Sequence, residues 1–281
     1  MTAALSETAP AKINLTLRVL GRRADGYHAL ESVVVFADLA DRLGLEPAQH
    51  LSLDVTGPFA KLCGPADDNL ILKAARAAAL PAGRFTLDKR IPVAAGLGGG
   101  SADAAAALRL IARHNGLAVD DTRILAAARA TGADVPVCLR SCACVMRGLG
   151  DELSAPIALP KLAVLLVNPG VAVSTREIFA AFAPAGATGA PLGDVPRDGA
   201  AFFDWLAQHG NDLTRAAVGR APVIAMVLEA LADSPGCRLA RMSGSGATCF
   251  GVFDSAAEAA AAARRVSKGK ENWWICPATL G

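Results

Sequence analysis

A glycine-rich stretch that leads into a helix-forming run is the part of this sequence best suited to chemistry. It runs from Pro92 to Asp103 as PVAAGLGGGSAD and continues into AAAAL at residues 104–108. Glycines leave backbone N–H groups uncovered, and the following helix adds free N–H groups and the positive end of its dipole. The combination suits an anion of phosphate size. A flexible turn before an ordinary helix stays the alternative.

Two common nucleotide-binding loops do not fit this stretch. A P-loop needs Gly-Lys and then Ser or Thr at the start of its helix, and the stretch contains no lysine. A Rossmann fingerprint needs Gly or Ala at its last position, where this sequence has Ser101. It also needs an acidic residue at the end of a following strand, where the pattern predicts a helix. The sequence therefore predicts a phosphate loop of another class.

The composition indicates a globular protein with a sizeable core. The chain has 281 residues, a length that is enough for two domains. Of these residues, 53% are hydrophobic and 19% are charged. A net charge of +2 is too small to indicate a nucleic-acid partner, so we expect none. No secretory signal and no apolar run of membrane-spanning length is visible, so we expect a cytoplasmic protein without a membrane partner.

The cysteines favour free thiols over a disulfide framework. There are seven of them, an odd number, and they are scattered along the chain. Cys138, Cys142 and Cys144 lie close enough in sequence to raise a metal site, but no histidine lies near them. Buried free thiols are therefore the favoured interpretation.

The pattern around the loop predicts the elements that must position it. Residues 12–20 alternate with period two, which is typical of a half-buried strand and puts Lys12 and Asn14 on its polar face. The helix that follows the loop is expected to end with a left-handed glycine at Gly116, and the next helix in the same way at Gly132.

The rest of the chain alternates predicted strands and helices. Further strands are predicted over residues 31–37, 42–46, 51–55, 85–89, 142–146, 152–155, 162–167, 237–241, 248–253 and 273–276. Further helices are predicted over residues 69–80, 121–131, 174–182, 200–208, 212–218, 222–232 and 256–266. Residues 184–199 are rich in Gly, Ala and Pro and are expected to form a long loop.

A pair of prolines marks the predicted domain junction. Pro156 and Pro160 bracket a short segment after which the strand pattern restarts. We therefore expect an N-terminal domain over residues 1–158 and a C-terminal domain over residues 159–281. Strand–helix alternation around an antiparallel sheet predicts an α+β sandwich in the C-terminal half.

Seven segments of the chain resemble the GHMP kinase superfamily. They are residues 10–15 (PAKINL), 23–28 (RADGYH), 68–71 (DNLI), 92–103, 132–136 (GADVP), 168–170 (NPG) with 174–175 (ST), and 242–247 (MSGSGA). The DGYH segment is similar to one branch of the superfamily, which phosphorylates the 2-hydroxyl of 4-(cytidine 5′-diphospho)-2-C-methyl-D-erythritol in the non-mevalonate isoprenoid pathway. Another small-molecule GHMP kinase, or a non-catalytic nucleotide-binding relative, stays the alternative.

The resemblance implies an α+β fold with two domains and a reaction between ATP and an alcohol. The N-terminal domain would have the ribosomal-protein-S5-like domain 2 fold, and the C-terminal domain would be a ferredoxin-like α/β sandwich. Asp134 matches the catalytic aspartate, which orients the substrate hydroxyl and accepts its proton, and Lys12 matches the catalytic lysine. Without the resemblance, an aspartate that caps its own loop and a solvent-exposed strand-edge lysine would be the simpler explanations.

The resemblance also implies which residues bind ATP. They are Asn69, Pro92, Val93, Ala94, Ala95, Gly96, Leu97, Gly98, Gly99, Gly100, Ser101 and Ala102. Helix capping explains Asn69 equally well. Mg²⁺ is expected to accompany ATP, but Gly99 and Gly100 stand where relatives often have serines, so Ser101 is the remaining hydroxyl candidate. Asp103 is expected in the first helical turn, where it would repel a phosphate unless the metal intervenes.

A third set of residues is implied to bind the cytidine substrate. Tyr27 would stack on cytosine and His28 would hydrogen-bond its polar edge. Phe179 matches a second stacking position, although an ordinary core residue explains it equally well. Asn14 and Thr175 would bind the erythritol–diphosphate part. We expect residues 243–246 to pack beside the phosphate loop, and the protein to be a monomer or a weak homodimer.

Overall fold

The computed structural model describes residues 4–23, 27–182 and 191–281. Its strands are β1 (Leu5–Asn14), β2 (Arg18–Arg22), β3 (His28–Glu46), β4 (Leu51–Thr56), β5 (Gly83–Asp88), β6 (Cys144–Gly148), β7 (Glu152–Leu153), β8 (Leu162–Asn168), β9 (Leu239–Met242), β10 (Cys249–Phe253) and β11 (Trp274–Leu280). Its α-helices are α1 (Leu70–Ala77), α2 (Gly99–His114), α3 (Thr122–Thr131), α4 (Val135–Arg140), α5 (Thr175–Ala181), α6 (Gly199–Gln208), α7 (Thr214–Arg220), α8 (Val223–Ala232) and α9 (Ala256–Val266).

The chain packs into two compact units made of interleaved segments. Unit 1 consists of Met1–Lys12, Leu39–Val93 and Gly98–Ser141. Unit 2 consists of Ile13–Asp38, Ala94–Leu97 and Cys142–Gly281. The chain therefore passes from one unit into the other five times, within β1, within β3, twice within the glycine-rich stretch and once after α4. The domain boundary expected between residues 158 and 159 stays a prediction.

Unit 1 is organised around α2, a helix that is buried over most of its length. Its alanines at positions 104–107 and Leu108 are each 0% exposed. Small side chains let neighbouring helices approach closely, and α1, α3 and α4 all pack against α2. The strands of this unit form a sheet in which β5 pairs in parallel with β4 and antiparallel with residues 42–46 of β3.

Unit 2 contains an antiparallel sheet with helices packed against it. β10 lies between β8 and β9, and β8 also pairs with β11. Helices α8 and α9 contact this sheet and bury an apolar core that includes Leu165, Val227, Leu231 and Phe253. α9 begins with a capping box between Ser255 and Glu258. The predicted α+β sandwich of the C-terminal half is confirmed.

The strand predicted over residues 12–20 is wrong in its bounds and its exposure. β1 ends at Asn14, and β2 is a separate strand. The face predicted to be polar and exposed is buried, with Lys12 4% and Asn14 1% exposed. Its polar groups find partners inside the protein, since the Asn14 amide donates to the Ser32 hydroxyl, which in turn donates to the carbonyl of Thr16. Period-two alternation therefore marked a strand buried on both faces.

Other differences concern the ends of elements. Residues 31–37 and 42–46 belong to one long strand, β3, and α1 ends at Ala77 instead of continuing to residue 80. Gly132 has a φ of 174°, which is extended backbone, whereas Gly116 has the predicted left-handed φ of 64°. No sequence pattern indicated α4, because its six residues are too few to show a helical period.

The long loop expected at residues 184–199 falls partly outside the described residues. Residues 191–198 form neither helix nor strand, and α6 begins at Gly199. Within the part of the chain that the structure describes, no helix is both long and apolar enough to cross a membrane.

Candidate active site

Lys12 and Asp134 form an ion pair in unit 1. The Nζ atom of Lys12 lies 2.9 Å from Oδ2 of Asp134. The Lys12 side chain is 5% exposed and that of Asp134 35% exposed, so the carboxylate remains accessible from solvent. Neither simpler explanation holds, because Lys12 is not exposed and the Asp134 side chain makes no cap hydrogen bond to α4.

The start of α4 fixes the position of this carboxylate. Asp134 is the N-cap residue of α4, and Pro136 lies in the first turn. A proline is suited to that turn because it has no N–H group to leave unbonded and its φ is already helical. At the other end of α4, Arg109 donates to the carbonyl oxygens of Cys138 (2.9 Å) and Thr8 (2.7 Å). Since Thr8 lies on β1, this guanidinium joins the strand of Lys12 to the helix of Asp134.

Gly98 lies directly against Lys12. A Cβ atom at Gly98 would come within 3.2 Å of both Cβ and Cε of Lys12, and the φ of Gly98 is +62°. Both facts favour glycine at this position. The buried thiol of Cys138 lies nearby, and burial raises its pKa to about 12. This thiol is therefore neutral at physiological pH and adds no charge beside Lys12.

The backbone of the glycine-rich stretch has the form of an anion-binding loop. Positive φ angles occur at alternate residues, with 53° at Ala94, 75° at Gly96 and 62° at Gly98. Left-handed residues in a turn can direct successive N–H groups towards one point and so make a concave site for an anion. Gly98 is the N-cap of α2 and has no side chain to bond the first N–H groups of that helix, which leaves them for a ligand.

The middle of the stretch is held by residues 243–248 within unit 2. The hydroxyl of Ser243 donates to the carbonyl oxygen of Gly96 over 2.9 Å, and the N–H of Thr248 donates to that of Ala95 over 3.1 Å. A Cβ atom at Gly96 would lie 2.6 Å from the carbonyl oxygens of Ser243 and Gly246. Residues 243–246 therefore pack beside the loop, as predicted.

Asp103 does not face a bound phosphate. It is the fifth residue of α2, beyond the first turn in which it was expected, and it is only 2% exposed. Its Oδ2 atom lies 2.5 Å from Nζ of Lys89, and the same Nζ atom lies 2.6 Å from Oδ2 of Asp41. Desolvation and the neighbouring Asp41 raise the pKa of Asp103 to about 7, although Lys89 lowers it. The sequence analysis missed this cluster, because its members lie on β3, after β5 and on α2.

Asn69 begins the helix that adjoins the start of α2. Its Oδ1 atom accepts a hydrogen bond of 2.9 Å from the N–H of Ile71, so its capping role is confirmed. Leu70 is the residue next to Gly100, since a Cβ atom there would lie 3.5 Å from Leu70 Cδ1. The structure thus places Asn69 close to the first turn of α2, and its contact with ATP stays a prediction.

The aromatic residues predicted to bind cytosine form a cluster in unit 2. The rings of His28 and Phe179 are stacked with their centroids 5.5 Å apart and their planes at 25°. Phe182 meets His28 edge-on, with a centroid distance of 5.9 Å. Tyr27, next to this pair in sequence, is 66% exposed. Phe179 also packs against the core, so both explanations offered for it apply.

The polar residues predicted to bind the substrate, Asn14 and Thr175, both contact residues 243–246. The Asn14 N–H donates to the Ser243 hydroxyl over 3.1 Å, and the hydroxyls of Thr175 and Ser245 are 2.8 Å apart. Arg241, which the sequence analysis did not single out, lies just before this loop and is 7% exposed. Burial lowers its pKa to about 10. The sequence did contain a signal for Arg241, because it is an arginine at the end of a predicted strand, shortly before a Ser-Gly-Ser-Gly loop.

Each unit thus gathers a different part of the predicted site. Unit 1 contains Lys12, Asp134, Asn69, Pro92, Val93 and residues 98–102. Unit 2 contains Asn14, Tyr27, His28, Thr175, Phe179 and residues 94–97. A lysine–carboxylate pair against a glycine-rich helix start can position a hydroxyl, accept its proton and stabilise charge on a transferred phosphoryl group. An exposed aromatic beside a stacked pair can hold a planar base.

Comparison with known proteins places the same segments in one family. The family model of the GHMP kinases N terminal domain matches residues 69–142, and that of the GHMP kinases C terminal matches residues 197–272. The first match contains Asn69, the phosphate loop and Asp134. The second contains residues 243–248.

Relatives of similar length carry one name. A 4-diphosphocytidyl-2-C-methyl-D-erythritol kinase of Rhodopseudomonas palustris is 52% identical over 100% of this chain and 99% of its own length. One of Bradyrhizobium diazoefficiens is 54% identical, with 99% and 98% covered. A crystal structure of a 4-(cytidine 5′-diphospho)-2C-methyl-D-erythritol kinase matches with a TM-score of 0.79 and 34% identity over 99% of both chains. Homoserine kinase from Cytophaga hutchinsonii matches with a TM-score of 0.71 at 18% identity over 100% and 95%, which shows a shared fold alone.

Proposed function

Because the chain belongs to the 4-diphosphocytidyl-2-C-methyl-D-erythritol kinase family of the GHMP kinases, we propose that it phosphorylates the 2-hydroxyl of 4-(cytidine 5′-diphospho)-2-C-methyl-D-erythritol with ATP. The products are the 2-phosphate and ADP, in the non-mevalonate route to isoprenoid precursors. The GHMP kinase fold and its α+β class, both expected from the sequence, are confirmed. The observation that carries the proposal is the ion pair of Lys12 and Asp134 against Gly98.

The ion pair supports a division of roles between its two members. Asp134, with a side chain 35% exposed, orients the substrate hydroxyl and accepts its proton. The Lys12 ammonium, 2.9 Å away, holds the carboxylate in position and stabilises charge that develops on the transferred phosphoryl group. Phosphoryl transfer needs positioning and charge stabilisation more than covalent chemistry, and this pair supplies both.

The loop from Pro92 to Ala102 binds the phosphates of ATP through its backbone. The alternating left-handed residues and the uncapped start of α2 support this assignment. Mg²⁺ enters with ATP, and it neutralises phosphate charge when bound. Among the residues that the structure describes, no group of three His, Cys, Asp or Glu side chains could hold a metal. We assign no protein ligand to Mg²⁺, and Ser101 is the one hydroxyl candidate of the loop.

The aromatic cluster selects the cytidine end of the substrate. Tyr27 stacks on one face of cytosine, Phe179 provides the second stacking ring, and His28 bonds the polar edge of the base. Asn14 and Thr175 bind the erythritol–diphosphate part, which their shared contact with residues 243–246 supports. We also propose that the enzyme is cytoplasmic, acts as a monomer or weak homodimer, and has no nucleic-acid or membrane partner.

A substrate comparison tests the proposed function. The purified protein, ATP and Mg²⁺ are incubated with the cytidine substrate, with mevalonate and with homoserine, and ADP release is measured by a coupled assay. We expect turnover with the cytidine substrate alone. Turnover with mevalonate or homoserine instead would identify another GHMP kinase, and ATP binding without any turnover would identify a non-catalytic relative.

A further inference from the structure

We propose that Lys89, Asp41 and Asp103 are positioning residues that clamp the two ends of the phosphate loop together. Lys89 lies just before the loop, and Asp103 lies on α2 just after it. All three residues belong to unit 1, and none of them is more than 3% exposed. The inference rests on the proposed function, because it assigns a role in ATP binding to a cluster that the reaction itself does not use.

The hydrogen bonds join both ends of the loop to β3. Asp41 accepts from the N–H of Ile91 over 2.8 Å and also from the N–H of Arg90, so its Oδ1 atom fixes the backbone that leads into the loop. Its Oδ2 atom accepts from Lys89 over 2.6 Å. Lys89 then reaches Asp103 over 2.5 Å and so fixes the start of the helix that leaves the loop. One lysine and two aspartates thus form a bridge across the base of the loop.

The ammonium group of this bridge lies under the first residue of α2. A Cβ atom at Gly99 would come within 3.1 Å of Lys89 Nζ and 3.1 Å of Ile91 Cγ2. Lys89 and Ile91 therefore fill the space beside Gly99 at the start of α2. The loop itself carries only Ser101 as a polar side chain before Asp103, so the bridge supplies the charged groups at the base of the loop.

The cluster is poorly explained by stability alone. Burying charged groups costs several kcal/mol for each ion, and well-packed apolar side chains often stabilise a core better. Two carboxylates here share one ammonium, and Oδ1 of Asp103 is buried without a hydrogen-bond partner among the described residues. Such an arrangement gives little to the folding free energy. It does fix a geometry, and a loop held in its binding form loses less entropy when ATP binds.

The test measures binding of the non-hydrolysable analogue AMP-PNP with Mg²⁺ by calorimetry at pH 8, in the full-length protein. Asp103→Asn keeps the shape of the side chain and removes its charge, so that the ion pair with Lys89 is lost, and we expect its Kd for AMP-PNP to rise roughly tenfold. Lys89→Met breaks both ion pairs, and we expect a larger rise. Lys89→Arg keeps the positive charge. We therefore expect its Kd for AMP-PNP to be closer to that of the unaltered protein than the Kd of Lys89→Met is.

A destabilised control separates positioning from stability. Ile124 of α3 is buried in the same unit, on a different element from the loop. The Kd of Ile124→Ala for AMP-PNP is compared with that of Asp103→Asn under conditions in which the same fraction of each variant is folded. We expect Ile124→Ala to leave the Kd for AMP-PNP within twofold, and Asp103→Asn to leave the KM for the cytidine substrate within twofold. If Asp103→Asn binds AMP-PNP as Ile124→Ala does, the clamp is only structural and the inference is overturned. If Lys89→Met does not fold, Asp103→Asn decides alone.

The binding measurement does not depend on turnover. A protein that binds AMP-PNP through this clamp but does not phosphorylate the cytidine substrate would contradict the proposed function and leave the inference standing.

Discussion

The Nζ atom of Lys12 lies 2.9 Å from Oδ2 of Asp134, and the two side chains come from opposite kinds of environment. The lysine is buried on a strand, whereas the aspartate is partly exposed at the start of a short helix. A buried cation beside an accessible carboxylate places positive charge next to the site without hiding the carboxylate from a substrate. This asymmetry supports Asp134 as the group that meets the hydroxyl and Lys12 as the group that supports it.

We predict that Asp134→Asn lowers kcat by about 10³-fold, because the amide can accept a hydrogen bond but cannot take the substrate proton. Steady-state kinetics with both substrates measures the change. The Kd for AMP-PNP should stay within threefold, since Asp134 bonds no part of the loop in unit 1. Asp254→Asn, which replaces a carboxylate 63% exposed at the surface of unit 2, is the control and should keep full kcat. A fully active Asp134→Asn would remove Asp134 as the proton acceptor.

We predict that Gly98→Ala impairs catalysis as well as stability. The left-handed φ of +62° costs an alanine about 1–2 kcal/mol, and its Cβ atom would also displace Lys12, 3.2 Å away. Gly116→Ala is the matched control, because its φ is +64° but no atom lies within 4 Å of the added Cβ. Urea unfolding should show a similar loss for both variants, whereas kcat should fall in Gly98→Ala only. Equal kcat in the two variants would show that contact with Lys12 is unimportant.

The sequence predicted the features that local pattern determines. The helix start at Asn69, the helix α9 and the left-handed end of α2 at Gly116 all follow from residues close together in the chain. Resemblance over separate segments identified Lys12 and Asp134 as a pair, and the structure brings them into contact. Without the resemblance, Asp134 would have been interpreted as a buried aspartate that caps its own loop and Lys12 as a strand-edge lysine in solvent.

The features that the sequence did not predict depend on contacts between distant segments. Residues 12–20 alternate like a strand with one solvent face, but both faces are buried by elements far along the chain. Lys89 showed no sign of its two carboxylate partners, because Asp41 and Asp103 are 48 and 14 residues away. Arg241 likewise bonds the carbonyl oxygen of Leu15, 226 residues away. Burial of charge is a tertiary property, so composition and spacing do not reveal it.

We predict that Tyr27→Ala raises the KM for the cytidine substrate roughly tenfold, because one base–aromatic stack contributes about 1–3 kcal/mol. The KM for ATP and the thermal midpoint should change little, since the ring is 66% exposed. Leu62→Ala removes an apolar side chain 63% exposed in unit 1 and should leave the cytidine KM unchanged. Tyr27→Phe keeps the aromatic ring, so its KM for the cytidine substrate should be close to that of the unaltered protein. A Tyr27→Ala effect on ATP alone would contradict the stacking role.

We predict that the buried carboxyl of Asp103 makes the protein less stable as the pH rises from about 4 to about 7. The ionisable groups that interact with the Asp103 carboxyl are Asp41, Lys89 and the thiols of Cys63 and Cys138. The Cys63 thiol also interacts with Asp41 and Lys89. Burial raises the pKa of Asp103 in the folded state from 3.8 to about 7. Between these values the folded protein binds one proton more than the unfolded chain, so the free energy of unfolding falls with pH and levels off above 7.

Comparison of Asp103→Asn with the unaltered protein isolates this effect, because asparagine does not titrate. Urea unfolding of both proteins at pH 5, 6, 7 and 8 gives the difference in their free energies of unfolding. We expect the difference to shift in favour of Asp103→Asn as the pH rises to about 7 and to stay constant above it. A difference that does not change between pH 5 and pH 8 would show that Asp103 titrates in the folded protein as it does in the unfolded chain, and that Lys89 offsets the cost of its burial in full.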